Sequence, residues 1–340
     1  MIYFDKGYIG CFEMTDKESG KHRLTEYIRQ LQNTGHKRII APINGDTWHQ
    51  YRLVSWSNGD PSFPLEPKNP LWYNEVYKEL GFKPLMKYRS DKFNIVNDIS
   101  IVNDNDNDND NVNTNKNNVN TNKNNVNTNK NNVNPNKNNV NPNKNTDSSL
   151  NIRNFREGDP KLIQAGDPKL IQDDDPKLTQ DDDPKLTQSG DPKLIQDDDP
   201  ELTQAGDLRL IYNISLHGFE GNFLYSDITY EEFSKLYSPI MPIIDNELVV
   251  IAEVNGTPVG FMFSFIVNGT QILKSMAVLP KFRSKGIGTK LINHVLIAGQ
   301  RKGAKTAIAA MISDGNNSSK IVEKCGGEKI REYTLYCLEE

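Results

Sequence analysis

Cysteine is scarce in this 340-residue chain. Three occur, Cys11, Cys325 and Cys337, with no repeated spacing, and so sparse a set excludes a disulfide framework or a cysteine-based zinc site. No stretch approaches the roughly 20 consecutive apolar residues that span a bilayer, and the first residues, MIYFDKGYIGCFE, lack the basic then apolar pattern of a secretory leader. The sequence therefore predicts a protein of the cytoplasm with no membrane partner. A basic excess is missing too. Residues 1–95 hold 14 Lys+Arg against 11 Asp+Glu, and residues 207–340 hold 14 against 14. No positive footprint for nucleic acid exists. Hydrophobic content is 36% and mean hydropathy −0.67, too low for core throughout.

The shortfall lies in the middle, where residues 96–206 carry 12 Lys+Arg against 20 Asp+Glu. Residues 111–145 repeat NVNTNKN and then NVNPNKN, after an alternating NDNDNDND run. One Val per seven residues buries too little surface to offset the entropy of ordering, so the tract reads as disordered. A heptad coiled coil needs two apolar positions per repeat. A second tract, 158–213, has period eight: GDPKLIQA and close variants, ending in GDLRLIYN. In that last unit Leu208 replaces the proline and the pattern runs on into an apolar helix, with Asp207 as the expected N-cap. The preceding units read as tandem insertions, and lengthening a loop to about fifty residues costs only roughly 2 kcal/mol.

Three pieces remain: 1–95, the short strand Asn151–Phe155, and 207–340. In the last, periodicity predicts helices over Leu208–His217 and Thr229–Tyr237. It then predicts strands over Leu248–Val254, Val259–Phe265 and Gln271–Leu279, with an Asn255-Gly256 hairpin turn between the first two. A helix from about Gly288 to Lys302, a strand Lys305–Met311, a helix Ser318–Cys325 and a strand Lys329–Leu338 follow. Between the third strand and the long helix stands MAVLPKFRSKGIGTKLINHVL. A helix N-terminus presents unpaired N–H groups and a positive dipole end, which suit a pyrophosphate. Gly286 and Gly288 let the backbone come close, and Arg283 and Lys285 add charge.

This run resembles the cofactor motif of the GNAT N-acetyltransferase superfamily. The resemblance rests on apolar-Ala-Val-X-Pro, then Arg283-X-X-Gly286-X-Gly288, an amphipathic helix, and NNSSKIVEKCGG near the end. It covers 151–156 and 207–340. It implies an α/β (α+β) fold with a mixed, mostly antiparallel sheet and flanking helices. It implies acetyl-CoA as co-substrate, no metal, and an amine of a small molecule or peptide as acceptor. Binding would involve Met276, Ala277, Val278, Arg283, Ser284, Lys285, Gly286, Ile287, Gly288 and Thr289, with Asn316 and Asn317 on the pantetheine arm, and Val278 would polarise the acetyl carbonyl. Many relatives carry a carboxylate in the strand matching Gln271–Val278 and a Tyr in the late helix, and both are missing here. Glu253 as base and Tyr336 as acid are the replacements, with Tyr333 and Cys325 as further candidates for the acid. The missing Tyr also admits a catalytically weak acyl-CoA-binding scaffold.

Residues 1–95 read as strand (Tyr8–Glu13), helix (Lys21–Thr34), strand (Arg38–Pro42), an irregular stretch, helix (Trp72–Leu80) and strand (Phe82–Tyr88). That order resembles the second half of a GNAT domain without a cofactor loop. The domain plan is therefore a half domain over 1–95, a linker over 96–150, and a transferase domain over 151–340 interrupted at about 158–205. A half fold leaves an unpaired sheet edge, so it is expected to pack on the transferase, with Trp48 and Tyr51 at the contact. PINGDTWHQYR concentrates Gly45, Asp46, Trp48, His49 and Arg52 in one loop, a composition frequent in binding sites. If the repeat tracts are solvated, deleting 103–145 and 158–205 will leave the melting temperature and acetyl-CoA affinity nearly unchanged. Calorimetry on the shortened chain checks this.

Overall fold

The computed structural model describes residues 1–95, 149–156, 206–313 and 317–339. Most of both repeat tracts and Asn316 lie outside the described residues, and the side chain of Asn317 is likewise not described. The N-terminal piece holds β1 (Ile2–Tyr3), β2 (Tyr8–Ile9), α1 (Lys17–Asn33), β3 (Arg38–Ala41), β4 (Leu53–Ser57), α2 (Tyr73–Glu79) and β5 (Lys83–Asn94). Then come β6 (Leu150–Asn154), α3 (Asp207–Phe219), α4 (Tyr230–Tyr237), β7 (Val249–Val254), β8 (Thr257–Val267) and β9 (Thr270–Val278). The chain finishes with α5 (Ile287–Arg301), β10 (Thr306–Ser313), α6 (Asn317–Lys324) and β11 (Glu328–Glu339).

Local chemistry sets most boundaries. Asp16 caps α1 by accepting from the Ser19 N–H at 2.8 Å, so that helix begins four residues earlier than its apolar periodicity suggests. Thr229 and Glu232 form a reciprocal capping box at α4. The hairpin turn has both Asn255 and Gly256 at positive φ. Asp207 does not cap α3; Gly206 occupies that position. Its carboxylate instead accepts from Arg153 Nη1 and Nη2 at 2.6 and 2.9 Å, and from the Arg156 N–H. The stretch after Pro42, irregular by sequence, contains β4, and β2 is much shorter than expected.

Among the described residues, ten strands form one sheet in the order β1-β2-β3-β11-β5-β10-β9-β8-β7-β6, and an eleventh, β4, pairs with β11. The two pieces set apart by the linker share it. β5 runs antiparallel between β10 and β11, with Phe93 opposite Ala307 and Tyr88 opposite Tyr333. β11 in turn pairs with β3 and β4. Bonding on both edges is why β5 extends over 12 residues, well past the Tyr88 where its apolar pattern fades. Beyond these exchanged strands the mostly antiparallel sheet with flanking helices matches the expected fold class.

Alternation sorts the side chains to two faces. Val249, Ile251, Phe261 and Phe263 meet Ile211 and Ile214 of α3 and Phe233 of α4. Val250, Ala252, Val259 and Met262 meet Leu291 and Val295 of α5. In the N-terminal piece Leu24, Leu31, Val76 and Tyr77 pack with Ile39, Ala41 and Tyr336. α3 comes close enough to β9 that a Cβ on Gly218 would stand 2.8 Å from the Ala277 Cβ, so only glycine permits this contact.

A buried ion pair ties the segment after β4 to β11. Glu66 accepts from Arg331 Nε at 2.9 Å, from the Tyr333 hydroxyl and from the Phe63 N–H, and both charged side chains are almost fully enclosed. Glu66→Ala would leave Arg331 buried without its anion. The expected loss is about 3–5 kcal/mol of unfolding free energy, read by urea denaturation, and an unchanged midpoint would show that the pair holds nothing together.

Candidate functional site

β9 and β10 run parallel and pair from Thr270–Thr306 to Leu273–Ala309, and there the pairing ends. β9 continues to Val278 and β10 to Ser313, so a wedge opens between them. Irregularities flank it at the same level. The β8–β9 register shifts at Lys274, and the β5–β10 register shifts between Ala309 and Ile312, where Met311 has φ 55°. Bulges increase local twist, which supplies the physical cause of the splay. The Leu279 N–H is bonded to Val259 O of β8 at 2.8 Å. Successive peptide groups of a strand point to opposite sides, so the N–H groups of Val278 and Met276 point into the wedge.

At the head of the wedge the chain turns through Pro280–Phe282 into α5. Ser284 and Gly286 both have positive φ, and Gly286 is the left-handed N-cap of α5 with no side-chain cap. The first N–H groups of the helix, at Ile287, Gly288 and Thr289, have no intrahelical acceptor and face an anion-compatible dipole end. Two expectations change here. Gly288 is helical and has no positive φ; its place faces Met276, 3.5 Å from a notional Cβ. Arg283 is held by carbonyls, donating from Nε to Val278 O at 3.0 Å and from Nη2 to Gly218 O at 2.6 Å. It pins the loop to β9 and α3. Lys285 stands with Nζ 5.2 Å from the Phe282 ring centre.

Neither Glu253 nor Tyr336 is brought to the wedge. Glu253 lies on β7, separated from the wedge by β8 and β9, and its carboxylate accepts from Arg153 Nε and Asn151. That ion pair, continued to Asp207, joins β6, β7 and α3. Tyr336 is stacked on Tyr77 inside the N-terminal core, donating to Asn74 Oδ1 at 2.8 Å, and burial pushes its hydroxyl up to about 12. Of the other acid candidates, Tyr333 is fully enclosed and its hydroxyl is held by Glu66 and Ser90, and burial raises the Cys325 thiol.

The loop of residues 43–52 reaches the helix side of the wedge through Trp48. Asp46 accepts from the N–H groups of Trp48 and His49 and pairs with His49 Nδ1 at 2.8 Å, which folds the loop on itself. Trp48 then donates from Nε1 to Ser226 O at 2.8 Å and packs against Phe219, Tyr225 and Phe233. Tyr51 turns the other way, edge-on to Tyr88. Asp46, His49 and Cys11 also line a cavity of about 510 Å³, but burial pushes the Cys11 thiol up to about 12 and its Sγ donates to Gln50 O, so no nucleophile is formed there. Among the described residues, no group of three or more His, Cys, Asp or Glu could hold a metal ion, and no helix is long and apolar enough to cross a membrane. Sequence reasoning missed Lys274. A single Lys between Leu273 and Ser275, in a strand that is otherwise mostly apolar, was the available signal.

The profile of the Acetyltransferase (GNAT) family matches residues 211–326. Those residues form a GNAT domain. The match takes in α3 to α6 and therefore the wedge and its loop. Solved structures similar to the chain include a GCN5-related N-acetyltransferase from Sphaerobacter thermophilus, at 11% identity and a TM-score of 0.45, covering 94% of this chain and 66% of that one. A functionally unknown conserved protein from Staphylococcus epidermidis ATCC 12228 has 10% identity and a TM-score of 0.40, covering 97% and 84%. A tandem GNAT protein from the clavulanic acid biosynthesis pathway has 10% identity and a TM-score of 0.40, covering 96% and 71%. No curated protein matches.

Placement of the two replacement residues gives a direct check. Tyr336→Phe leaves Asn74 Oδ1 without its donor and should lower stability by about 1–2 kcal/mol. Glu253→Gln should weaken the Arg153 pair. Both variants are expected to retain wild-type acetyl-CoA turnover; a hundredfold loss in either, at intact fold by circular dichroism, would return that residue to the chemistry.

Proposed function

We propose that this protein is an acetyl-CoA-dependent N-acetyltransferase acting on a primary amine. One observation carries the reading: the β9–β10 wedge ends at an uncapped helix N-terminus whose N-cap, Gly286, is left-handed. A thioester arm fits between strands whose edges are unpaired, and a pyrophosphate fits the first turn of α5, with Lys285 beside it. Acetyl-CoA supplies an activated acetyl thioester. The residues supply orientation and electrostatics. Inward N–H groups at Met276 and Val278 stand ready to stabilise negative charge on an acyl oxygen. The walls formed by α3, α4 and the Trp48 loop hold an amine against it.

The amine must be neutral to attack, and ordinary alkylammonium groups hold their proton to about pH 10. Glu253 and Tyr336 stand outside the wedge, so water or a neighbouring group takes that proton. On this reading residues 1–95 are a GNAT-like half that keeps no cofactor loop, and the repeats of 96–150 and about 158–205 interrupt the plan in sequence. The three free thiols suit a reducing cytoplasm.

Titration calorimetry with acetyl-CoA tests the assignment. Wild type should bind and should release thiol when pooled primary amines are added. Gly286→Glu places a carboxylate at the helix mouth and should abolish binding at unchanged circular dichroism. Binding without thiol release would point to the scaffold, and equal affinity in the variant would remove the loop from the site.

A further inference from the structure

Arg52 is among the most enclosed charges in the protein. It is 7% exposed, sits at φ 66°, and donates its N–H to Pro42 O at 2.9 Å. Its guanidinium lies 4.1 Å from the Tyr51 ring centre and 4.2 Å from that of Tyr88, with Tyr333 at 5.8 Å. The clasp covers the faces of the cation and leaves its edges for hydrogen bonds. Among the described residues those edges go unserved: Nε and Nη1 have no partner, and Nη2 meets only Met311 Sδ at 3.4 Å. A thioether is a weak acceptor on a flexible stem. A buried charge without a counter-ion is costly enough that natural structures pair it or reserve it for a ligand.

Met311 places this cation at the wedge, because it lies two residues past Ala309, the last β10 residue paired with β9. Across the gap, Lys274 is the first β9 residue beyond the last pair, and it sits on the bulge. It has no hydrogen bond or ion pair among the described residues. Burial and the Arg52 charge bring its ammonium down to about 8. Nearby acids are spent elsewhere. Glu66 is held by Arg331 and Tyr333, and Asp91 pairs with Arg89. Two cations therefore converge on the acceptor side of the wedge without an anion partner among the described residues.

We infer that Arg52 and Lys274 form an anion subsite of the acceptor pocket and that the acceptor is a small amine bearing a carboxylate, such as a free amino acid. The inference rests on the transferase reading above. A planar carboxylate suits the in-plane edge of a clasped guanidinium, and on entry it displaces the Met311 thioether. The same positive field favours the neutral form of the acceptor's amine, which is the form that attacks.

Thiol release from acetyl-CoA, with pooled L-amino acids in one arm and their α-amides in the other, tests this. The acids should exceed the amides at least tenfold in kcat/KM. Arg52→Met should cost the acids that whole advantage and so abolish the preference, while changing the amides by no more than a few-fold and leaving acetyl-CoA affinity as in wild type; Lys274→Met should act in the same direction. Thermal shift without acetyl-CoA gives an independent readout. The amino-acid pool should raise the melting temperature of wild type but not of Arg52→Met, and the amides should raise neither. Acids and amides turned over equally would overturn the subsite while leaving the transferase intact. Stabilisation by the acids without acetyl-CoA binding would sink the transferase and keep the subsite. Should Arg52→Met fail to fold, Lys274→Met, at a partly exposed position, decides alone: an unaltered preference for acids counts against the subsite.

Discussion

Backbone N–H and C=O groups along a strand need partners on both edges, and this requirement organises the molecule. Among the described residues β4 and β5 find no strand partner within the N-terminal piece, and the residues matched as a GNAT domain end at 326, leaving β11 alone after α6. Interleaving answers both shortages at once. β5 takes the place beside β10, and β11 lies between β5 and the β3–β4 edge, so neither piece owns a complete sheet. Buried polar contacts then lock the shared strands. Arg331 and Tyr333 of β11 reach Glu66, while Tyr336 reaches Asn74.

The same exchange shapes the site. With β5 bonded along one edge of β10, the bulge at Met311 has a firm neighbour, the Ser90 hydroxyl accepting the Met311 N–H at 2.9 Å. The opposite bulge at Lys274 is held by β8. Two braced bulges flank the point where β9 and β10 part. The exchange also carries Arg52 to the wedge, because Tyr88 and Tyr333, two of the rings around its guanidinium, belong to the paired strands β5 and β11. A chain lacking the N-terminal piece would keep the N-terminus of α5 and lose Arg52 with Tyr51 and Tyr88, two of the three rings around it.

Much of the local structure was legible in the sequence. Thr229 with Glu232, Asn255-Gly256 and the alternation of Val249–Val254 act through nearest neighbours and mark their elements within a residue or two. Sequence failed where a side chain's partner lies far along the chain. Asp207 looks like a cap, yet Arg153, 54 positions earlier, claims its carboxylate. Glu253 reads as a candidate base, yet the same arginine holds it. Tyr336 reads as a spare acid on a late strand until β11 crosses into the N-terminal core.

The sequence by itself marked a loop of the form Arg-X-X-Gly-X-Gly between a strand and an amphipathic helix, within the residues that the GNAT profile matches, because helix polarity and turn chemistry are local properties written in consecutive residues. Only the tertiary structure decided which charges meet. Arg283, besides its place in the expected phosphate loop, braces Gly218 and Val278 through their carbonyls. Arg52 and Lys274, 222 positions apart, became neighbours of one wedge. Charge interactions depend on distance and burial, and strand exchange sets both in ways no local pattern records.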